Sequence, residues 1–227
     1  MIVALFDADG TLYSAQYGRG LMKYALAHGR RLHAAAYFAS LVPMSLPSAL
    51  KLTHNEGFDR AKIGRMAWLL RGWTEEQSLR AFRWVNDEFL LPTQRAPVIA
   101  KLKWHLAEGH RVVIASGTFT PSLELLGARL GVADLIGTGV EIRLGRYTGR
   151  SVPPIIKGAD KLRRIREHLE KTGLPVDWKS SFAYGDSYSD REFMQLVGHP
   201  VAVFPEHKLR VFALAQNWEI IDAGTAA

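Results

Sequence analysis

From Pro97 onward the apolar positions of the chain switch repeatedly between a helical and a strand period. Val98–Glu108 repeats as a helix stopped by Gly109, and Arg111–Ala115 is a short β-branched run. Pro121–Leu130 is again helical up to Gly131, and Lys161–Lys171 is helical before Gly173. Phe182–Tyr184 reads as a strand end, Asp190–Val197 as a helix, and Pro200–Phe204 as a strand. Lys208–Gln216 then reads as a helix and Trp218–Ile221 as a closing strand. Within Gly139–Gly149, two short runs flank Leu144-Gly145 and predict a hairpin. Strands alternating with helices imply right-handed βαβ units and a mostly parallel sheet covered on both faces. The first strand stands apart, at Ile2–Phe6, five apolar residues too short for a helix.

Between Leu12 and Pro92 no convincing strand pattern occurs. Ile63, Met66, Ala67 and Leu70, then Leu79, Phe82, Val85 and Phe89, recur at helical spacing. The expected organisation is an α/β core of residues 1–13 and 93–227, interrupted after its first strand by a helical insert of residues 14–92. One stretch of that insert, Leu32–Leu50, carries no Asp, Glu, Lys or Arg and is flanked by Arg30, Arg31 and Lys51. Its length is marginal for a membrane span, and Pro43 and Pro47 are expected to break its helix. Two expectations remain for it: ordinary buried helices, or a peripheral contact with an anionic membrane through its basic flanks.

Composition narrows the classes. With 48% hydrophobic residues the chain can bury a sizeable core, and with no cysteine it has no disulfide, thiolate metal site or cysteine nucleophile. The absence of cysteine and of a basic leader before Asp7 suits a cytoplasmic protein. A formal charge of +7 favours anionic partners. No zinc-finger, RNP-type or basic-helix pattern accompanies that charge, so nucleic acid is not the expected partner; a small phosphorylated substrate or an anionic membrane surface accounts for it equally well.

The candidate chemistry lies at predicted strand ends. Asp7 and Asp9 follow the first strand directly, with Gly10 and Thr11 behind them. That is where an open parallel sheet binds ligands, and two carboxylates there repel unless a cation or phosphoryl centre lies between them. Asp-Gly is also an ordinary turn pair. After Arg111–Ala115 come Ser116, Gly117 and Thr118, either a phosphate cradle at a helix N-terminus or plain helix capping. After Phe182–Tyr184 come Gly185, Asp186, Ser187 and Asp190. Three carboxylates at one sheet edge suit Mg²⁺, a hard cation with oxygen ligands. Lys157 and Lys161 both stand where a lysine would balance a phosphoryl group. Lys161 is preferred because it opens a helix, with Asp160 as the expected cap.

Phe6–Leu12, Ala115–Thr118, Lys161 and Tyr184–Asp190 resemble, in order, the four motifs of the haloacid dehalogenase superfamily. The spacing is similar to its subfamily IB, the phosphoserine-phosphatase-like hydrolases. The resemblance implies a Rossmannoid three-layer core with a parallel sheet and an inserted α-helical, C1-type cap. It implies Asp7 as a nucleophile that forms an aspartyl-phosphate and Asp9 as general acid and base. Ser116, the backbone around Gly117 and Thr11 would hold phosphoryl oxygens, with Lys161 balancing their charge. Asp7, the Asp9 carbonyl and Asp186 would bind Mg²⁺, with Asp190 in support. Aspartate rather than Thr or Ser at position 9 favours a phosphatase. For substrate contacts the resemblance implies Arg65, and Gln16 where phosphoserine phosphatases carry a glutamate that meets the substrate's ammonium. An uncharged Gln16 weakens that match. The basic, partly apolar insert is also similar to relatives that act on phospholipid head groups, and transfer to another alcohol or a non-catalytic phosphate-binding role are the remaining alternatives.

Overall fold

The computed structural model describes residues 1–49 and 56–222, so Leu50 and Lys51 lie outside the described residues. Seven strands form one sheet: β1 (Val3–Phe6), β2 (Arg111–Phe119), β3 (Asp134–Arg143), β4 (Arg146–Val152), β5 (Phe182–Gly185), β6 (His199–Val203) and β7 (Glu219–Ile221). Their spatial order is β4-β3-β2-β1-β5-β6-β7, with every neighbouring pair parallel except β3 and β4. β1 is therefore central, with β2 on one side and β5 on the other. The chain leaves β1 in one direction and later returns to its opposite edge, and such a reversal opens a crevice at the carboxyl ends of the strands.

Burial explains why β1 reads as an unbroken apolar run. Ala4 and Phe6 pack into one core cluster, Val3 and Leu5 into a second on the opposite face. A strand covered on both sides needs apolar residues at every position. The ladder continues one step past the strand, where the Asp7 amide donates to the Tyr184 carbonyl at 3.0 Å. The chain then turns sharply: the amides of Leu12 and Tyr13 donate to the Ala8 carbonyl, and that of Gly10 to the Tyr13 carbonyl. Gly10 has φ +87°, and a Cβ there would fall 2.1 Å from an Asp186 carboxylate oxygen. Only glycine lets this loop lie against Asp186.

The helices of the core are α5 (Ala96–Ala107), α6 (Thr120–Leu130), α7 (Ala159–Glu170), the single turn α8 (Arg191–Met194) and α9 (His207–Ala215). Between β1 and α5 lie α1 (Tyr17–Ala27), α2 (Arg31–Ala49), α3 (Glu56–Arg65) and α4 (Glu75–Trp84). Short 3₁₀ and π turns follow α3 and α4. The apolar residues of this segment, among them Tyr17, Leu21, Leu69, Phe82 and Val85, join the cluster that holds Phe6. The backbone also ties it to the β3–β4 hairpin, since the Tyr147 amide donates to the Trp73 carbonyl and the Gly72 amide to the Tyr147 carbonyl.

Several local expectations are corrected. α2 continues through Pro43 and Pro47. Each proline removes one backbone donor, while Ala34, Tyr37 and Leu41 are buried along the same helix. No helix among the described residues is long and apolar enough to cross a membrane. The helix expected over Asp190–Val197 shrinks to α8, because a reciprocal cap between Ser187 and Asp190 makes the preceding residues a 3₁₀ turn. β2 extends to Phe119, with a register shift between Ala115 and Phe119, so Ser116 and Gly117 sit in a distorted strand end. β3 starts at Asp134 and pairs with β2 before entering the hairpin. Asp160 does not cap α7; Gly158 holds that position, and Asp160 pairs with Arg60 and Arg163.

Candidate active site

Two strand ends and one helix converge on a buried ion cluster, with Asp7 following β1, Asp186 and Asp190 following β5, and Lys161 on α7. Lys161, in the first turn of α7, is 2% exposed. Its ammonium donates to Asp7 Oδ1 at 2.6 Å and to Asp190 Oδ1 at 2.7 Å. The other oxygen of Asp190 accepts from the Ser187 hydroxyl at 2.7 Å and the Ser187 amide at 3.2 Å. Asp186 Oδ1 accepts from the Thr11 hydroxyl at 3.1 Å. Carboxylate oxygens of Asp7, Asp186 and Asp190 all lie within 4.8 Å of one another.

One ammonium among three such carboxylates leaves negative charge uncompensated, and the titration directions follow. Burial pushes the Asp7 carboxyl up; Lys161 opposes that, and Asp190 adds to it. Asp186 is pushed well above the usual carboxylate range by burial and by the charges of Asp7 and Asp190. Burial acts on Asp190 in the same sense, but Lys161 and Lys157 outweigh it and hold that carboxyl low. For Lys161 burial would lower the value, and Asp190 and Asp7 raise it instead. An all-oxygen donor set with surplus negative charge fits a hard divalent cation such as Mg²⁺.

Asp9 is placed differently. Its Oδ1 accepts from the Tyr17 amide at 3.0 Å, at the first residue of α1. Burial and the charge of Asp7 lift its carboxyl to about 7, with the Tyr17 hydrogen bond pulling the other way. The orphan amide of a helix N-terminus thus orients Asp9.

Ser116 is buried, donating its hydroxyl to Thr118 Oγ1 at 3.1 Å and accepting from the Thr118 amide at 3.2 Å. A Cβ on Gly117 would lie 2.9 Å from Ile63 Cδ1, so Ile63 of α3 packs directly over this backbone. Asp7, Asp9, Ser116, Gly117, Lys161 and Asp186 share the floor of a cavity of about 740 Å³. Its walls come largely from α1, α2 and α3.

The remaining expected residues divide. Gln16 and Lys157 line the cavity, and Lys157 acts on Asp7, Asp9 and Asp190 through its charge. Thr11 is buried against Asp186 and is not among the lining residues. The Arg65 guanidinium donates to the Ser40 carbonyl, and Arg65 does not line the cavity. Arg19, Lys23 and Lys62 line it instead. Their signal is present in the sequence as basic positions beside the i, i+4 rows Gly18–Met22–Leu26 and Asp59–Ile63. Arg95 gave no such signal; its Nε donates to the Gly10 carbonyl at 2.8 Å, while its guanidinium lies 3.8 Å over the Phe204 ring.

The family model of haloacid dehalogenase-like hydrolases matches residues 4–195. The phosphoserine phosphatase SerB1 of Mycobacterium tuberculosis is 29% identical over 96% of this chain and 70% of its own. A solved protein of unknown function from Bordetella pertussis superposes with a TM-score of 0.81 at 25% identity, covering 97% of both chains. A phosphoserine phosphatase solved as an analogue of its phospho-aspartyl intermediate shares the fold, with a TM-score of 0.65 at 17% identity over 96% of this chain and 91% of that one. The chain belongs to the haloacid dehalogenase-like hydrolase family.

Proposed function

We propose that this chain is a Mg²⁺-dependent phosphomonoesterase that works through an aspartyl-phosphate on Asp7, with water as the final acceptor and a phosphorylated metabolite as substrate. The observation that carries the reading is the buried Asp7–Lys161–Asp190 chain beside Asp186, with a near-neutral Asp9 on the same cavity floor. A carboxylate oxygen of Asp7 attacks phosphorus, and the bond from phosphorus to the leaving oxygen breaks. Asp9, whose carboxyl is lifted to about 7 and so is protonated in about half of the molecules at neutral pH, delivers its proton to that oxygen in its protonated form. The resulting Asp9 carboxylate then takes a proton from water as the water attacks phosphorus and frees Asp7. A group titrating near 7 suits both halves of this cycle, and the covalent step divides one difficult displacement into two.

Asp7, Asp186 and the Asp9 carbonyl would hold Mg²⁺. When bound, it supplies positive charge against the repulsion between an anionic nucleophile and an anionic ester. Asp190 fixes Lys161 from behind. Lys161, Ser116 and the Gly117 backbone face the phosphoryl oxygens, and Thr11 acts by holding Asp186. Residues 14–92 act as a cap over the core of residues 1–13 and 93–227, and the Asp9–Tyr17 hydrogen bond joins the proton carrier to that cap. Relatives named for phosphoserine suggest an amino-acid phosphate, but Gln16 supplies no charge for an ammonium group and Arg65 is engaged by Ser40. The test is phosphate release from a generic aryl phosphate with Mg²⁺. Asp7→Asn should lower turnover by at least roughly 10⁴-fold without changing the circular dichroism spectrum; retained turnover would refute the mechanism.

A further inference from the structure

The cavity continues well beyond the phosphoryl site, and its far wall has a chemistry that phosphate transfer does not use. Met22 and Leu26 of α1, Phe38 of α2, Ile63 of α3 and Met66 just after it line it. Leu26 and Phe38 are 42% and 56% exposed, so they are not core residues that happen to border a void. Met66 reaches the bare backbone of α1 at Gly18, where a Cβ would lie 2.7 Å from its sulfur. Ile63 covers Gly117, so the apolar wall begins beside the phosphate-facing loop. Arg19, Lys23 and Lys62 accompany these apolar groups in the lining, with Asp59 as the acidic group that α3 contributes.

Exposed Leu and Phe held in a concave wall gain free energy only when something apolar covers them. A leaving group the size of serine would leave most of about 740 Å³ to water against this wall. The neighbouring cations favour approach of an anion.

We infer that the preferred substrate is a soluble phosphomonoester whose alcohol carries an extended apolar group, seated along Met22, Leu26, Phe38, Ile63 and Met66 while its phosphate meets Asp7. This assignment rests on the phosphatase reading above and names the substrate class of the same site. Apolar contacts remote from phosphorus persist through the reaction, so they act mainly on KM.

The test is a homologous series of ethyl, butyl, hexyl and octyl phosphate, each below its micellar concentration, with O-phosphoserine alongside. Phosphate release is followed with the full chain and Mg²⁺. kcat/KM should climb roughly two- to fourfold per methylene, chiefly through KM, and octyl phosphate should surpass phosphoserine. A flat series, or phosphoserine ahead of octyl phosphate, overturns the assignment. So does turnover confined to a diacyl phosphate in phosphatidylcholine vesicles. Calorimetric binding of the matching alkylphosphonates, which have no scissile ester, reads the wall without chemistry. Affinity that climbs with length while no ester is cleaved would refute the phosphatase reading, and the substrate assignment with it, while keeping the wall as the seat of the apolar group; affinity independent of length, with esters still cleaved, would refute the substrate assignment alone. The pair Leu26→Glu and Phe38→Glu should flatten the climb, and an undiminished slope in that variant contradicts the proposal.

Discussion

At the strand ends, Asp7, Lys161 and Asp190 are 6%, 2% and 1% exposed and are joined by hydrogen bonds of 2.6 and 2.7 Å. Across the same cavity, Leu26 and Phe38 stand 42% and 56% exposed. The floor is electrostatically dense and geometrically determined: moving one charge leaves another buried without a partner. The wall is a surface of apolar side chains on three helices, where one contact can be exchanged for another at little cost. A preorganised polar floor suits chemistry that stays the same for any phosphate ester. A permissive apolar wall suits a specificity that can change while the chemistry does not.

The largest expected contrast is catalytic. Asp9→Asn should lower kcat by about 10²–10⁴-fold, the range for a positioned acid and base. In the wild type, kcat for the first step should fall as pH climbs through about 7, because the Asp9 carboxyl loses the proton it must deliver. Single-turnover profiles of the Asn variant should lack that limb; a limb that persists would assign the titration elsewhere. Next in size is stability. Lys161→Met strands two buried carboxylates and should cost about 3–5 kcal/mol, measured by chemical denaturation without Mg²⁺. Lys62→Met, on the wall, should change stability by no more than about 0.5 kcal/mol. Equal losses would erase the distinction between floor and wall.

The smallest effect concerns metal linkage. Asp186 titrates above its unfolded value, so its ionisation in the folded state costs stability that grows as pH rises from below 4 toward 7. Asp186→Asn should therefore raise the Tm of the metal-free protein, and raise it more at pH 7 than at pH 4. The same substitution should abolish the Tm increase that Mg²⁺ gives the wild type. A wild type whose Tm ignores Mg²⁺ would remove the cation from the account.

What was legible in the sequence follows the same division. β1 and the acidic pair could be read because a strand buried on both faces must be continuously apolar and must end where polar groups begin. The alternation after Pro97 betrayed the parallel sheet for a similar reason. Asp7, Lys161, Asp186 and Asp190, spread over most of the chain, form one cluster only through the order of β1, β5 and α7, and motif order stood in for that geometry. Features set by local competition were not legible. Ser187 and Asp190 cap each other and shorten α8, and Asp160 pairs with Arg60 rather than capping α7. α2 passes through two prolines that local propensity alone would have used to end it. Arg65 shows the limit most plainly: a basic residue in the right part of the insert is drawn to the Ser40 carbonyl, and only tertiary structure shows that it leaves the cavity wall to Arg19, Lys23 and Lys62.

Asp7 as the proposed phosphoryl carrier can be checked by mixing the protein with Mg²⁺ and excess octyl phosphate, quenching in acid within a turnover, and locating phosphoryl mass by peptide mass spectrometry. A labile phosphoryl group should appear on the peptide containing Asp7 and be lost in Asp7→Asn. A phosphoryl group on any other residue, or its retention in Asp7→Asn, would contradict that role.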